Sequence, residues 1–166
     1  MHPDAVQTIA DLELAPHPEG GYYREIFRSS HSVRATDGRI RPALTVIYFL
    51  LERERCSAWH RLRSDETWHF ARGKALLLDL IDSKGRHESL FLKPEGPWQA
   101  TIPAGTSFAA RALESFTLVT CCVAPGFDFE DFELLDAREL ALRFPDHAET
   151  IGCYAPGLER NDGATA

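Results

Sequence analysis

The sequence predicts a mainly β fold, an antiparallel barrel or sandwich with a short helix at each end. Three observations carry that expectation. Short apolar and aromatic segments recur from Gly21 onward, separated by glycine and proline turns. The run Thr45–Leu51 has the composition of a strand buried on both faces. Helical periodicity shows only near the two ends of the chain.

At the N-terminal end, residues 4–14 place Val6, Ile9 and Ala10 on one helical face, and Pro16 and Pro18 stop that helix. Gly21–Ser30 then brings aromatic and β-branched residues between polar or glycine-rich segments, and Thr45–Leu51 follows. Further short strands are expected at Ser57–Leu62, Glu66–Phe70, Lys74–Ile81, Glu88–Leu92 and Gln99–Ile102. Ser107–Ala112, Phe116–Val123 and Phe132–Leu135 complete the series. The turn signals between them include Arg72-Gly73, Ser83-Lys84-Gly85, Pro94-Glu95-Gly96-Pro97, Pro103-Ala104-Gly105 and Pro125-Gly126. After Leu135 the period becomes helical: Asp136 and Glu139 form a capping-box-like start, Ala137, Leu140, Ala141 and Phe144 share a face, and Pro145 ends it. The Gly-, Pro- and Ala-rich tail from Gly152 to Ala166 is expected to fray or to wrap on a neighbour.

A chain of 166 residues reads as one domain, 1–166, with its barrel core at about 20–135 and a helix and tail at 136–166. The net charge of −7 argues against a nucleic-acid surface. Its longest apolar run, Leu44 to Leu51, falls far short of the ~20 residues a membrane helix needs, so no membrane association is expected. No basic region followed by an apolar core opens the chain, and Cys56, Cys121, Cys122 and Cys153 form no CxxC pair. Reduced, buried thiols in a cytoplasmic protein are the expectation.

The chemistry concentrates in Ser57-Ala-Trp-His60-Arg-Leu62-Arg-Ser-Asp-Glu66-Thr-Trp-His69-Phe-Ala-Arg-Gly73. A histidine, a carboxylate on the next strand and a turn glycine resemble the first motif of the cupin superfamily. In that motif two histidines separated by one residue and a later glutamate bind a metal inside a small β-barrel. His60, Glu66 and Gly73 match, whereas Leu62 stands at the second histidine and Glu54 where a glycine is usual. The second motif, Pro-x-Gly-x-x-His, is matched by Pro103-Ala-Gly105-Thr-Ser-Phe108 with its ligand replaced. His17-Pro-Glu-Gly-Gly-Tyr-Tyr-Arg-Glu25, Ser64-Asp-Glu-Thr-Trp-His69 and Ala124-Pro-Gly-Phe-Asp-Phe-Glu-Asp-Phe132 further resemble the cupin-5 family. The resemblance implies a cupin-type double-stranded β-helix (a jelly-roll barrel), commonly dimeric, with a ligand-sized cavity; a homodimer is therefore expected.

A firm divalent-metal site wants three or more N or O ligands, and Leu62 and Phe108 offer none. No cofactor is expected; if a divalent ion binds, His60 and Glu66 would hold it weakly. Without metal, His60 and Glu66 read either as a buried ion pair or as a catalytic acid/base pair, the carboxylate raising the imidazole's proton affinity and burial opposing it. Regular alternation puts Glu66 and Trp68 on one face of a strand and His69 on the other. Arg24, Tyr48, Ser57, Trp68, His69 and Phe108 are the residues expected to seat a small-molecule substrate, Arg24 as a fixed positive group and the aromatics as apolar walls. Since metal-free cupins include sugar-nucleotide epimerases, the resemblance implies an isomerase or epimerase working on a carbohydrate-like substrate by acid/base chemistry. A non-catalytic sensing module and a metal-dependent oxygenase are the alternatives.

Overall fold

The structure, a computed structural model, describes residues 1–154. Helix α1 (Pro3–Asp11) leads into β1 (Ala15–Pro16), β2 (Tyr22–Arg28), β3 (Ser32–Arg34), β4 (Ile40–Pro42) and β5 (Thr45–Glu52). The middle of the chain forms β6 (Cys56–Leu62), β7 (Asp65–Gly73), β8 (Leu76–Ile81), β9 (His87–Leu92) and β10 (Gln99–Ile102). Strands β11 (Ser107–Ala112), β12 (Phe116–Ala124) and β13 (Phe132–Leu134) precede α2 (Ala137–Arg143) and α3 (Ala148–Gly152).

Two antiparallel sheets face each other, one in the order β1-β2-β5-β12-β7-β10 and the other β13-β6-β11-β8-β9, with β3 and β4 forming a separate hairpin. Their facing sides enclose Phe49, Leu51, Trp68, Leu78, Ile102, Phe108 and Val119. This is the double-sheet jelly roll the sequence predicts.

Strand β5 shows why both of its faces are apolar. Phe49 and Leu51 point into the barrel, while Leu50 lies outside beneath Ala5 and Leu14 of the N-terminal segment. On the outer side of the second sheet, Trp59 and Ile81 pack against Leu140, Ile151 and Tyr154. The expected C-terminal helix stands as read: Asp136 caps it, accepting from the Arg138 and Glu139 N–H groups at 2.8 and 3.0 Å, and Leu140 is buried.

Three details differ from the sequence reading. Helix α1 buries Ala5 and Thr8 rather than Val6, which is half exposed; the helix ends at Asp11, before either proline, and Glu13 turns to positive φ. The short strands β1, β3 and β4 carry too few apolar residues to register as strands in sequence. Of the cysteines, Cys121 is buried and Cys153 exposed, so the expectation of uniformly buried thiols fails. Residues 155–166 of the expected tail lie outside the described residues.

Candidate functional site

The segment His17-Pro18-Glu19-Gly20-Gly21 joins β1 to β2 and is folded tightly against the barrel. The His17 N–H donates to the Gly21 carbonyl and the Gly20 N–H to that of His17, both at 3.0 Å. Gly20 adopts φ 110°, and a Cβ there would stand 2.2 Å from the Cys56 carbonyl oxygen. Only glycine permits that approach. The result is that Glu19 is pressed inward: its carbonyl accepts from the Ala58 N–H at 2.8 Å and its side chain is buried inside the barrel.

Strand β6 brings two side chains to meet it. Ser57 and His60 are three residues apart and would face opposite ways in a regular strand. Against β11, however, the register runs from His60 opposite Phe108 to Ser57 opposite Ala110, three steps against two. This bulge restores both side chains to the same side. Ser57 Oγ donates to Glu19 Oε1 at 2.8 Å, and His60 Nε2 lies 3.3 Å from Glu19 Oε2.

The histidine's tautomer follows from its other contact. His60 Nδ1 stands 2.7 Å from the Ala58 carbonyl oxygen, which can only accept, so Nδ1 carries a hydrogen. In the neutral imidazole Nε2 is then a lone pair, so any proton shared with Glu19 Oε2, 3.3 Å away, would have to come from the carboxyl. Burial lowers His60 to about 4, against the Ala58 hydrogen bond, and raises Glu19 to about 7, against His17 and Ser57. Both shifts favour the neutral forms, a carboxylic acid beside a neutral imidazole, below about pH 7. His17 stands next in line, its Nδ1 accepting from the Glu19 N–H at 3.3 Å; burial lowers its pKa, with Glu19 opposing and His60 adding to the shift.

Glu66 and Trp68 of β7 share the cavity-facing side, as alternation predicts. Burial and then the neighbouring Glu19 raise Glu66 to about 8, while Trp68 and Cys121 lie close enough to pull the other way. Even so, neither Glu66 Oε2 nor Trp68 Nε1, both buried, meets a partner in hydrogen-bonding geometry. Burial, with Glu66 and Glu19 nearby, also holds the Cys121 thiol well above its ordinary pKa.

These groups line a cavity of about 140 Å³. At its mouth β2 carries a second bulge, between Glu25 and Phe27, which flips parity so that Arg28 joins Tyr23 and Glu25 on the inner face. Arg28 donates to both Glu25 oxygens, at 2.9 and 2.6 Å, and to the Phe127 carbonyl at 3.1 Å. Phe127, Phe129 and Phe132 complete the rim. Their loop is fastened by buried Asp131, which accepts from Arg41 at 2.9 and 3.1 Å and pairs also with Arg39.

The structure therefore redistributes the predicted site. His60, Glu66 and Trp68 line the cavity. No ion pair or hydrogen bond joins His60 to Glu66: the partner of His60 is Glu19, which corrects the expected pairing. Ser57 reaches the site through Glu19, and Phe108 packs behind His60 with ring centroids 4.0 Å apart. Arg24, Tyr48 and His69 stand outside the cavity. Arg24 pairs with Glu13 at 2.9 Å, Tyr48 packs under α1, and His69 lies opposite Gln99 and Thr120 on the other face of β7. The sequence reading missed Glu19, His17, Arg28 and the phenylalanine rim. The signal for the first two was present in the His-Pro-Glu-Gly-Gly run, where two glycines beside a glutamate mark close backbone packing.

A cupin metal would need donors that this site does not assemble. Leu62 lines the cavity where a second histidine would stand, Phe108 covers one side of His60, and both His60 nitrogens already face oxygen partners. Among the described residues no three His, Cys, Asp or Glu side chains are grouped to hold an ion. The residues do not fit a metal.

A two-sheet antiparallel jelly roll with a cavity between its sheets is the architecture of the cupins. The chain belongs to the Cupin_5 family, described as cupin superfamily (DUF985), whose model matches residues 6–135. It is similar to an uncharacterised protein of Saccharomyces cerevisiae, 29% identical over 153 residues, covering 80% of this chain and 76% of that one. Among solved structures it resembles a hypothetical protein from Leishmania major, with TM-score 0.86 and 35% identity over 91% of this chain and 98% of that one. Protein SO0799 from Shewanella oneidensis gives 0.83 and 32%, covering 93% and 98%. Oxalate decarboxylase from Bacillus subtilis shares the fold alone, with TM-score 0.58 and 19% identity over 91% of this chain and 38% of that one. Among the described residues no helix is long and apolar enough to cross a membrane.

Proposed function

We propose that this cupin is a metal-independent isomerase of a small carbohydrate-like carbonyl compound, with Glu19 and His60 as its proton relay. The observation that carries the reading is the placing of Glu19 Oε2 3.3 Å from His60 Nε2 in the wall of a cavity rimmed by aromatic rings. A relay that changes state near pH 7 is matched to proton transfer at neutral pH. Above about 7 the Glu19 carboxylate takes a proton from the carbon beside the carbonyl, with the neutral His60 ring fixed by Ala58 behind it. The carbon–hydrogen electrons form an enediolate. Return of the proton to the adjacent carbon, with the hydroxyl proton passing to the other oxygen, completes a 1,2-shift. Since the relay stands on one wall, a shift on one face fits it better than an epimerisation that needs groups on both faces.

The test is deuterium exchange. Three- to six-carbon aldoses, ketoses and their 2-amino analogues are incubated with the protein in D₂O and followed by proton NMR. Deuterium should enter at the carbon beside the carbonyl of at least one compound, and Glu19→Gln and His60→Ala should lower the rate at least ~100-fold while leaving the fold intact. Exchange that survives both substitutions contradicts the reading. A compound that binds and is recovered without deuterium favours the sensing module instead.

A further inference from the structure

The relay leaves two polar atoms of the cavity unused. Glu66 and Trp68 stand two residues apart on the inner face of β7, at 6% and 1% exposure; the Trp68 indole and the Cys121 thiol lie near the Glu66 carboxyl, yet neither Glu66 Oε2 nor Trp68 Nε1 makes a hydrogen bond of ordinary geometry. Buried polar groups are nearly always satisfied, so a pair of orphans in a cavity wall points to what the cavity takes. Oε2 wants a donor and the indole N–H wants an acceptor. An occupant that satisfies both must offer the two within one small molecule.

The charges narrow the class further. Among the described residues three glutamates and one arginine line the cavity, and Arg28 already spends its donors on Glu25, twice, and on the Phe127 carbonyl. Glu19 is engaged by Ser57 and His60. Glu66 is the carboxyl left without a counter-group. The surrounding Tyr23, Phe49, Trp68, Phe127, Phe129 and Phe132 supply ring surfaces that attract cations and not anions. A carboxylate ligand would meet three carboxyls and an arginine already held by Glu25, whereas an ammonium would let Glu66 release its proton and pair with it.

We propose that the substrate carries a primary ammonium group next to a hydroxyl or carbonyl oxygen, the ammonium seated on Glu66 and the oxygen on the Trp68 indole. This rests on the reading of the cavity as a proton-transfer site and narrows its substrate to an amino-carbohydrate or similar 1,2-amino-oxygen compound. A cavity of about 140 Å³ matches the bulk of roughly five water molecules, enough for such a fragment.

Titration calorimetry at pH 7.5 with three near-isosteric probes tests it: 2-amino-1,3-propanediol, glycerol and glycerate, of charge +1, 0 and −1. The full chain should bind the amine at least tenfold more tightly than glycerol, with glycerate weakest. Amine binding should release protons to the buffer, because an ammonium beside Glu66 favours its ionised form. Glu66→Gln should erase the amine preference and the proton release while keeping glycerol affinity within about twofold. Trp68→Phe should weaken amine and glycerol alike, and melting curves verify that both variants fold. Equal binding of the three probes, preference for glycerate, an amine preference that persists in Glu66→Gln, or no binding of the amine would each overturn the proposal. Failures of the two readings separate cleanly. Amine preference without deuterium exchange in any compound removes the isomerase reading alone. Exchange on a neutral sugar without amine preference removes this one alone.

Discussion

Two buried acids on neighbouring parts of the barrel are treated in opposite ways. Asp79 of β8, at 4% exposure, accepts from Tyr154 Oη at 2.5 Å, from Ser89 Oγ at 2.5 Å, and contacts His87 Nε2 at 2.9 Å. Glu66 of β7 is equally enclosed, at 6%, yet one of its oxygens has no partner. The first acid ties β8 to its neighbour β9 and holds Tyr154, just past α3, against the second sheet, and the Tyr154 hydroxyl beside it is pushed up by burial and by Asp79. The second acid has the Trp68 indole and the Cys121 thiol close beside it. A saturated buried carboxylate is a structural device; an unsaturated one, in a cavity, is held for something that arrives later.

Removing each acid should separate the two roles. Asp79→Ala should cost roughly 3–5 kcal/mol in denaturant titrations, because it strands the Tyr154, Ser89 and His87 groups that it now satisfies. An Asp79 variant as stable as the parent would remove the structural half of the contrast. Glu66→Gln should act on the pH dependence of stability instead. The folded pKa of Glu66, about 8, lies above the ordinary 4.5, so in that interval the folded state holds a proton the unfolded chain has released. Its contribution is complete below about 4.5 and is lost as pH rises through 8, at up to about 1.4 kcal/mol per pH unit. The parent should therefore lose stability relative to Glu66→Gln between about pH 5.5 and 8, a smaller effect than the Asp79 loss over any one unit. Parallel curves would mean that Glu66 is ionised as in water.

The contrast also marks where sequence reasoning stops. Strands were legible because apolar runs and Gly/Pro turns are local, and β10 and β11 match their expected bounds. The cavity-facing side of Glu66 and Trp68, and the turning away of His69, followed from simple alternation because β7 is regular over that stretch. Where a bulge intervenes, alternation misleads. Arg24 was the expected cation, but the extra residue after Glu25 delivers Arg28 to the cavity and leaves Arg24 with Glu13. The partner of His60 was hidden for a different reason. Glu19 reaches it only because Gly20 lies against the Cys56 carbonyl, a contact across more than thirty residues that no local pattern encodes. The sequence points to Glu66 instead because it matches the glutamate of the motif that begins at His60.

Burial holds the cavity carboxyls Glu19 and Glu66 as neutral acids at the lower edge of physiological pH. Carbon-13 NMR of protein labelled at the glutamate carboxyls, titrated from pH 4 to 9 and assigned with Glu19→Gln and Glu66→Gln, reads it directly. Two carboxyl resonances should titrate near 7 and 8 and vanish one by one in those variants. Glutamate carboxyls that all titrate near 4.5, Glu19 and Glu66 included, would contradict the account.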